Sequence, residues 1–300
     1  LEFGTLAGFS AAALLCTGLT FALGDEAMHA WGWRVPFALT LLLGIIALWM
    51  RRSLDEPETF TKDLPDANKG SQPNAGVRLF RDHPGQLLKL FGFVILVNVA
   101  FYLVLTYMPS YLSETLGHDP VQSNMSLVVI QLIMMAIIAP LGALSDRIGR
   151  KPLLITACAG FTLLSVPAIM LVQTGSVWTQ LGGIAVLGLL LVIVISSISA
   201  TLPALFPTSV RYSGFAIGYN LSTAIFGGTA AMVNEALIEV SGNTLVPGYY
   251  LAVAGLIGLV SVLTFNETAG RSLRGNVVPG SDDALRIAQG EQLIGRPGHK

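Results

Sequence analysis

Long apolar runs with almost no charge dominate this sequence, near residues 3–23, 35–50, 88–108, 122–144, 153–172, 180–203, 213–235 and 247–265. Most hold roughly 20 residues, the length an α-helix needs to cross a hydrocarbon core of about 30 Å. Composition agrees. Hydrophobic residues make up 53% of the 300 and charged residues 12%, about half the charged share of a soluble domain. The expected fold is an all-α membrane protein with about eight transmembrane helices, and its first partner is the lipid bilayer.

A polar stretch from Arg51 to Gln86, with Pro57, Pro65, Pro73 and Pro84, separates two spans from six and reads as a long loop rather than a helix pair. The expected organisation is 1–50, two helices; 51–86, a central loop; 87–266, six helices; and 267–300, a tail. Lysine and arginine then set the orientation, because positively charged loops stay in the cytoplasm. Alternate assignment puts Arg51, Arg52, Lys62, Lys69, Arg78, Arg81, Arg147, Arg150, Lys151, Arg211 and the tail's basic residues on one side. The other side receives Arg34 alone, at a membrane edge. The long loop and the tail are therefore expected in the cytoplasm.

Formal net charge is -1 and the basic residues lie scattered in short loops, which gives no footing for nucleic acid. Cys16 and Cys158 both fall in apolar runs, without the spacing of a disulfide framework or a metal site. No cofactor or metal is expected. The sequence opens Leu1-Glu2-Phe3, without an initiator methionine, directly into a span; this reads as a truncation.

Between the fourth and fifth spans stands Gly142-Ala143-Leu144-Ser145-Asp146-Arg147-Ile148-Gly149-Arg150-Lys151-Pro152. Turn formers and positive charge are ordinary in such a loop. A carboxylate at the mouth of an apolar helix, followed by three basic residues, is not. The order Gly-x-x-x-Asp-Arg-x-Gly-Arg-Lys resembles the signature loop of the major facilitator superfamily, which recurs after the second and eighth helices of a twelve-helix fold. Placed after helix eight, it makes the visible spans helices five to twelve and the polar stretch the linker between two six-helix halves. The resemblance implies that helices one to four, with the other copy of the loop, are absent.

Further blocks narrow the resemblance. Leu105-Thr106-Tyr107-Met108-Pro109-Ser110-Tyr111-Leu112, Leu202-Pro203-Ala204-Leu205-Phe206-Pro207 with the following Thr208 to Gly214, and Asn266-Glu267-Thr268-Ala269-Gly270-Arg271 look like the metabolite:proton symporter branch. Within it they are most similar to bacterial members that carry proline and glycine betaine. The resemblance implies an inner-membrane, multi-pass symporter whose partners are a small solute and protons. Osmosensory members carry a C-terminal coiled coil, whereas this tail, with Gly280, Gly290, Gly295 and Pro297, sustains no heptads.

The signature loop is expected to act as a conformational latch rather than a binding site. Its members are Gly142, Asp146, Arg147, Gly149, Arg150 and Lys151, together with Arg211 at the start of helix eleven. Cavity candidates are Asn98, Tyr102 and Thr106, recurring every four residues on helix seven, and Tyr219, Asn220 and Thr223 on helix eleven. Either group equally suits plain interhelical hydrogen bonding. Glu235 is the exceptional acid within the six spans, and it fits either proton coupling or a place at the interface.

Amides, hydroxyls and aromatic rings without a fixed cation suit a zwitterion such as proline or glycine betaine, since quaternary ammonium sits well on ring faces. An organic-acid symporter (shikimate, citrate or 2-oxoglutarate type) is the alternative within the branch, and a non-transporting membrane sensor the alternative outside it. An intramembrane enzyme would need a constellation that His29, His83, His118 and His299, all in loops or the tail, do not build.

Overall fold

The computed structural model describes residues 2–53, 75–207, 210–270 and 278–281. Every regular element among them is helical. The helices are α1 (Glu2–Leu23), α2 (Met28–Ser53), α3 (Ala75–Asp82), α4 (Pro84–Thr115), α5 (Pro120–Ile148), α6 (Arg150–Val172), α7 (Val177–Thr201), α8 (Arg211–Ser241) and α9 (Val246–Leu263). All but α3 are long and apolar enough to span a bilayer, eight in total among the described residues.

Two units partition the chain. Residues 8–74 form one, with α2 and most of α1. Between Arg34 and Ser53 no side chain is buried within the chain, and large apolar groups such as Phe37, Leu41 and Trp49 stand exposed. That pattern is insoluble in water and at home in lipid or against other helices.

Residues 75–300 and the first seven form the other unit, around a core that includes Phe93, Leu96, Leu103, Phe161, Leu187 and Leu191. Here α4 and α7 are the most enclosed. Close approach depends on missing side chains: a Cβ at Gly255 of α9 would lie 2.8 Å from the Thr162 nitrogen of α6. One at Gly183 of α7 would lie 2.4 Å from the Ala168 carbonyl. Small residues at such crossings let dispersion contacts replace the hydrophobic drive that lipid removes.

Three differences from the hydropathy reading have local causes. The polar stretch is not loop throughout. Its end folds as α3, whose Leu79 is fully buried, and Pro84 opens α4 at a position where its absent N–H costs nothing. Residues 54–74 of that stretch, Thr208 and Ser209, and the tail outside 267–270 and 278–281 lie beyond the described residues. Second, α4 continues past 108 to Thr115 by switching to π-helical turns at Tyr102–Tyr107 and Tyr111–Thr115. Third, α8 runs to Ser241, beyond Glu235 and Glu239, which lower the hydropathy but not the helix propensity.

Candidate functional site

The signature loop is compact because one glycine ends α5 and begins α6. Gly149 has φ +102°, a conformation side chains resist, and a Cβ there would lie 2.7 Å from a Glu267 carboxylate oxygen. The first N–H groups of α6 lack carbonyl partners in their own helix, and Glu267, just past α9, supplies them. Its carboxylate accepts from Arg150 N at 3.1 Å and Lys151 N at 3.0 Å, and from Thr268 N at 2.9 Å and Ala269 N at 2.8 Å in its own turn. Burial alone would raise the Glu267 pKa. The four N–H groups, from Ala269, Lys151, Arg150 and Thr268, outweigh it and hold the carboxyl below the ordinary glutamate value.

The exchange is mutual. Lys151 Nζ donates to the carbonyls of Leu263 at 2.9 Å and Phe265 at 2.7 Å, and Lys89 Nζ donates to that of Thr264 at 3.0 Å. Two ammonium groups thus cap the negative end of α9 while the acid beyond it caps the positive end of α6. Arg150 is the hub. Its guanidinium meets Asp146 at 3.2 Å and reaches the Ala200 carbonyl of α7 at 3.4 Å and Thr268 Oγ1 at 3.5 Å.

The latch candidates therefore fall into separate positions. Asp146 pairs with Arg150 one turn along, and Arg147 is exposed. Arg211 donates from Nε to the Phe206 carbonyl before its own helix, at 3.1 Å. Gly142 lies against α7, with 3.6 Å between its Cβ direction and the Ser196 carbonyl. Sequence reasoning gave Glu267 no role, although an acid directly after the last apolar run was the available signal.

Away from that end, polar and aromatic side chains of α4 meet α8 along a seam. Thr223 Oγ1 donates to Asn98 Oδ1 at 3.0 Å. Tyr102 covers Gly227, where a Cβ would lie 2.6 Å from the ring. Tyr107 donates its hydroxyl to Glu235 Oε1 at 2.7 Å. The six cavity candidates are thus not alike. Asn98 is buried, 3% exposed, with its amide oxygen committed to Thr223. Tyr102 and Tyr219 are half-buried, and Thr106 and Asn220 are exposed. The stripe expected of Asn98, Tyr102 and Thr106 diverges because a π-helical turn begins at Tyr102 and changes the residues per turn.

Among the described residues no group of three or more His, Cys, Asp or Glu could hold a metal ion. The Major Facilitator Superfamily profile matches residues 4–233. This chain belongs to that superfamily and is a multi-pass membrane protein. Among its relatives, the "Proline/betaine transporter" of Salmonella typhimurium is 33% identical over 302 residues, covering 98% of this chain and 59% of the relative. The "Glycine betaine/proline/ectoine/pipecolic acid transporter OusA" of Dickeya dadantii is 38% identical over 304 residues, with coverage of 96% and 59%. The "Proline/betaine transporter" of Escherichia coli K12 is 33% identical over 289 residues, with coverage of 94% and 58%. The chain thus spans about 59% of the length of the curated relatives it matches.

Proposed function

We propose that the transporter carrying these helices is a proton-coupled symporter of the inner membrane that imports a small zwitterion such as proline or glycine betaine. The observation that carries this reading is the identity of 33–38%, along nearly the whole chain, to proteins named for those solutes. The residues support it independently. Basic side chains on α4 to α9 stand at helix ends, where Lys89, Arg147, Arg150, Lys151 and Arg211 lie, and not in the apolar interiors where an organic anion would be met. The excess of lysine and arginine at that end supports a cytoplasmic place for it, the long loop and the tail.

The test uses a full-length transporter containing these residues, reconstituted in proteoliposomes. An inward proton gradient should drive accumulation of labelled glycine betaine or proline, and a protonophore should abolish it. Accumulation that ignores the gradient would overturn the coupling, and failure to exchange either solute would overturn the cargo.

Tyr102 and Tyr219 are proposed to present ring faces to the solute, with Thr106 and Asn220 as polar contacts; Asn98 and Thr223 serve the seam that holds those rings. Tyr102→Ala and Tyr219→Ala should then each raise the apparent KM for glycine betaine by about tenfold, in line with one desolvated cation–π contact of 1–2 kcal/mol. The matching Phe substitutions should cost little. Equal damage from Phe and Ala would assign the binding to the hydroxyls.

The signature loop acts, on this reading, as the cytoplasmic latch. Gly142, Asp146, Arg147, Gly149, Arg150, Lys151 and Arg211 bias the exchange between inward-open and outward-open states without touching cargo.

A further inference from the structure

Glu235 differs from the other acids of the helical unit. Among the described residues of α4 to α9, it alone of the carboxylates stands more than one turn from a helix end. Four residues, 242–245, join α8 to α9, so the ends of these helices lie at one level. Glu235 lies six positions before Ser241, a setback of about 9 Å along the helix. A carboxylate at that depth costs free energy and marks function.

The backbone is bent to put it there. In an unbroken α-helix, Thr223 and Glu235 would point about 120° apart. The π-helical turn Thr223–Gly227 absorbs one residue, which brings them to within about 20° of each other, both facing α4. The facing tyrosine is fixed. Tyr107 is 3% exposed, with its ring 5.9 Å from that of Tyr111. Tyr111 in turn donates to the Thr244 carbonyl at 2.7 Å and accepts from Gln173 Nε2 at 2.8 Å. A rigid phenol thus holds one oxygen of an otherwise exposed carboxylate. The titratable groups nearest along the elements around Glu235 are Tyr102, Tyr107, Tyr111 and Glu114 of α4, Tyr249 and Tyr250 of α9, and Glu239 on its own helix, with Lys89, Arg211, Tyr212 and Tyr219 farther along α4 and α8.

We propose that Glu235 is the carboxyl that carries the coupled proton and that Tyr107 is the residue that positions it. This rests on the symport reading above. A proton from the outer aqueous phase adds to the carboxylate, giving the neutral acid, and leaves to the inner phase after the conformational change. No other bond is made or broken, and Tyr107 keeps its own proton, donating more strongly to the charged form than to the carbonyl oxygen of the neutral one.

The test is made in the full-length transporter in proteoliposomes with an internal pH dye. Glycine betaine should acidify the wild-type lumen. Glu235→Gln should lose that acidification and at least about tenfold in gradient-driven accumulation, while counterflow, which needs no net proton movement, falls far less. Tyr107→Phe should move the pH of half-maximal accumulation by about one unit, because the charged acid loses its donor. A Glu235→Gln transporter that still acidifies the lumen overturns the assignment while symport stands, whereas a wild type that never acidifies it fails the symport reading itself. Should Glu235→Gln not insert, Tyr107→Phe alone decides: an unmoved pH profile refutes the positioning role.

Discussion

Glu267→Gln in the full-length transporter is expected to lower the thermal midpoint in detergent by roughly 2–8 °C at neutral pH, the counterpart of about 1–2 kcal/mol for a lost helix cap. The carboxylate accepts four backbone N–H groups, two of them the unpaired donors that open α6. An amide presents one acceptor oxygen and a competing NH2 group, so at least one donor is left facing another donor. The pH dependence separates this cap from simple packing. Because the folded-state pKa of Glu267 lies below its ordinary value of 4.5, the stabilisation is complete above that value and is lost as pH falls through the folded one. The gap between wild type and Glu267→Gln should therefore be full at neutral pH and close in acid. A gap that persists unchanged in acid would mean that shape, not charge, is what the position requires. Gly149→Ala should show a comparable loss without this pH dependence, since a positive φ and a contact with the same carboxylate forbid its methyl group.

The two ends of the helical unit were legible to different degrees. Spans could be read from hydropathy because the lipid environment makes apolar length nearly sufficient to identify a helix. Each of the eight predicted runs coincides with one helix long enough to cross a bilayer, although 180–203 and 247–265 each overrun the helix end by two residues. The signature loop could be read because its residue order is specific. What stayed hidden was long-range and geometric. Nothing in the order of residues pairs Glu267 with the start of α6, 116 positions earlier for Lys151. That contact depends on α9 ending beside α6, which only packing reveals.

The seam was half visible for a similar reason. Asn98, Tyr102, Thr223 and Glu235 attract attention as polar or aromatic residues in apolar helices, but sequence spacing gives side-chain direction only along an ideal α-helix. Two π-helical turns, Tyr102–Tyr107 and Thr223–Gly227, reset those directions. Such a turn carries no hydropathy signal. It converts a supposed cavity stripe into one buried amide, one covered ring and one exposed hydroxyl, and it carries Glu235 round to Tyr107.

Asp146→Asn should reduce the transport rate by at least about tenfold, or 1.4 kcal/mol in the limiting step, although in a static view the residue does little. Asp146 is 66% exposed in its pair with Arg150, and an ion pair that open is worth about 0–1 kcal/mol. Loss of the pair alone would leave the thermal midpoint close to wild type, in contrast to Glu267→Gln. The larger effect arises from the hub. The Arg150 side chain is 15% exposed and its Nε has no acceptor, and Asp146 is the one carboxylate its guanidinium meets among the described residues. Its remaining contacts are neutral oxygens on Ala200 and Thr268. A neutral side chain at 146 leaves a nearly buried cation to be balanced by carbonyls, just where α5, α6, α7 and the segment after α9 are tied together. In the proposed latch, the closed cytoplasmic face depends on that cluster keeping one arrangement, so the resting population should move toward inward-open. Solute affinity should change by less than about threefold, under ~0.7 kcal/mol, because no latch residue touches the cargo. Binding of glycine betaine to the purified transporter, measured beside cysteine accessibility at the cytoplasmic mouth, decides between the roles. A large loss of affinity with unchanged accessibility would remove Asp146 from the latch and place it in the solute site.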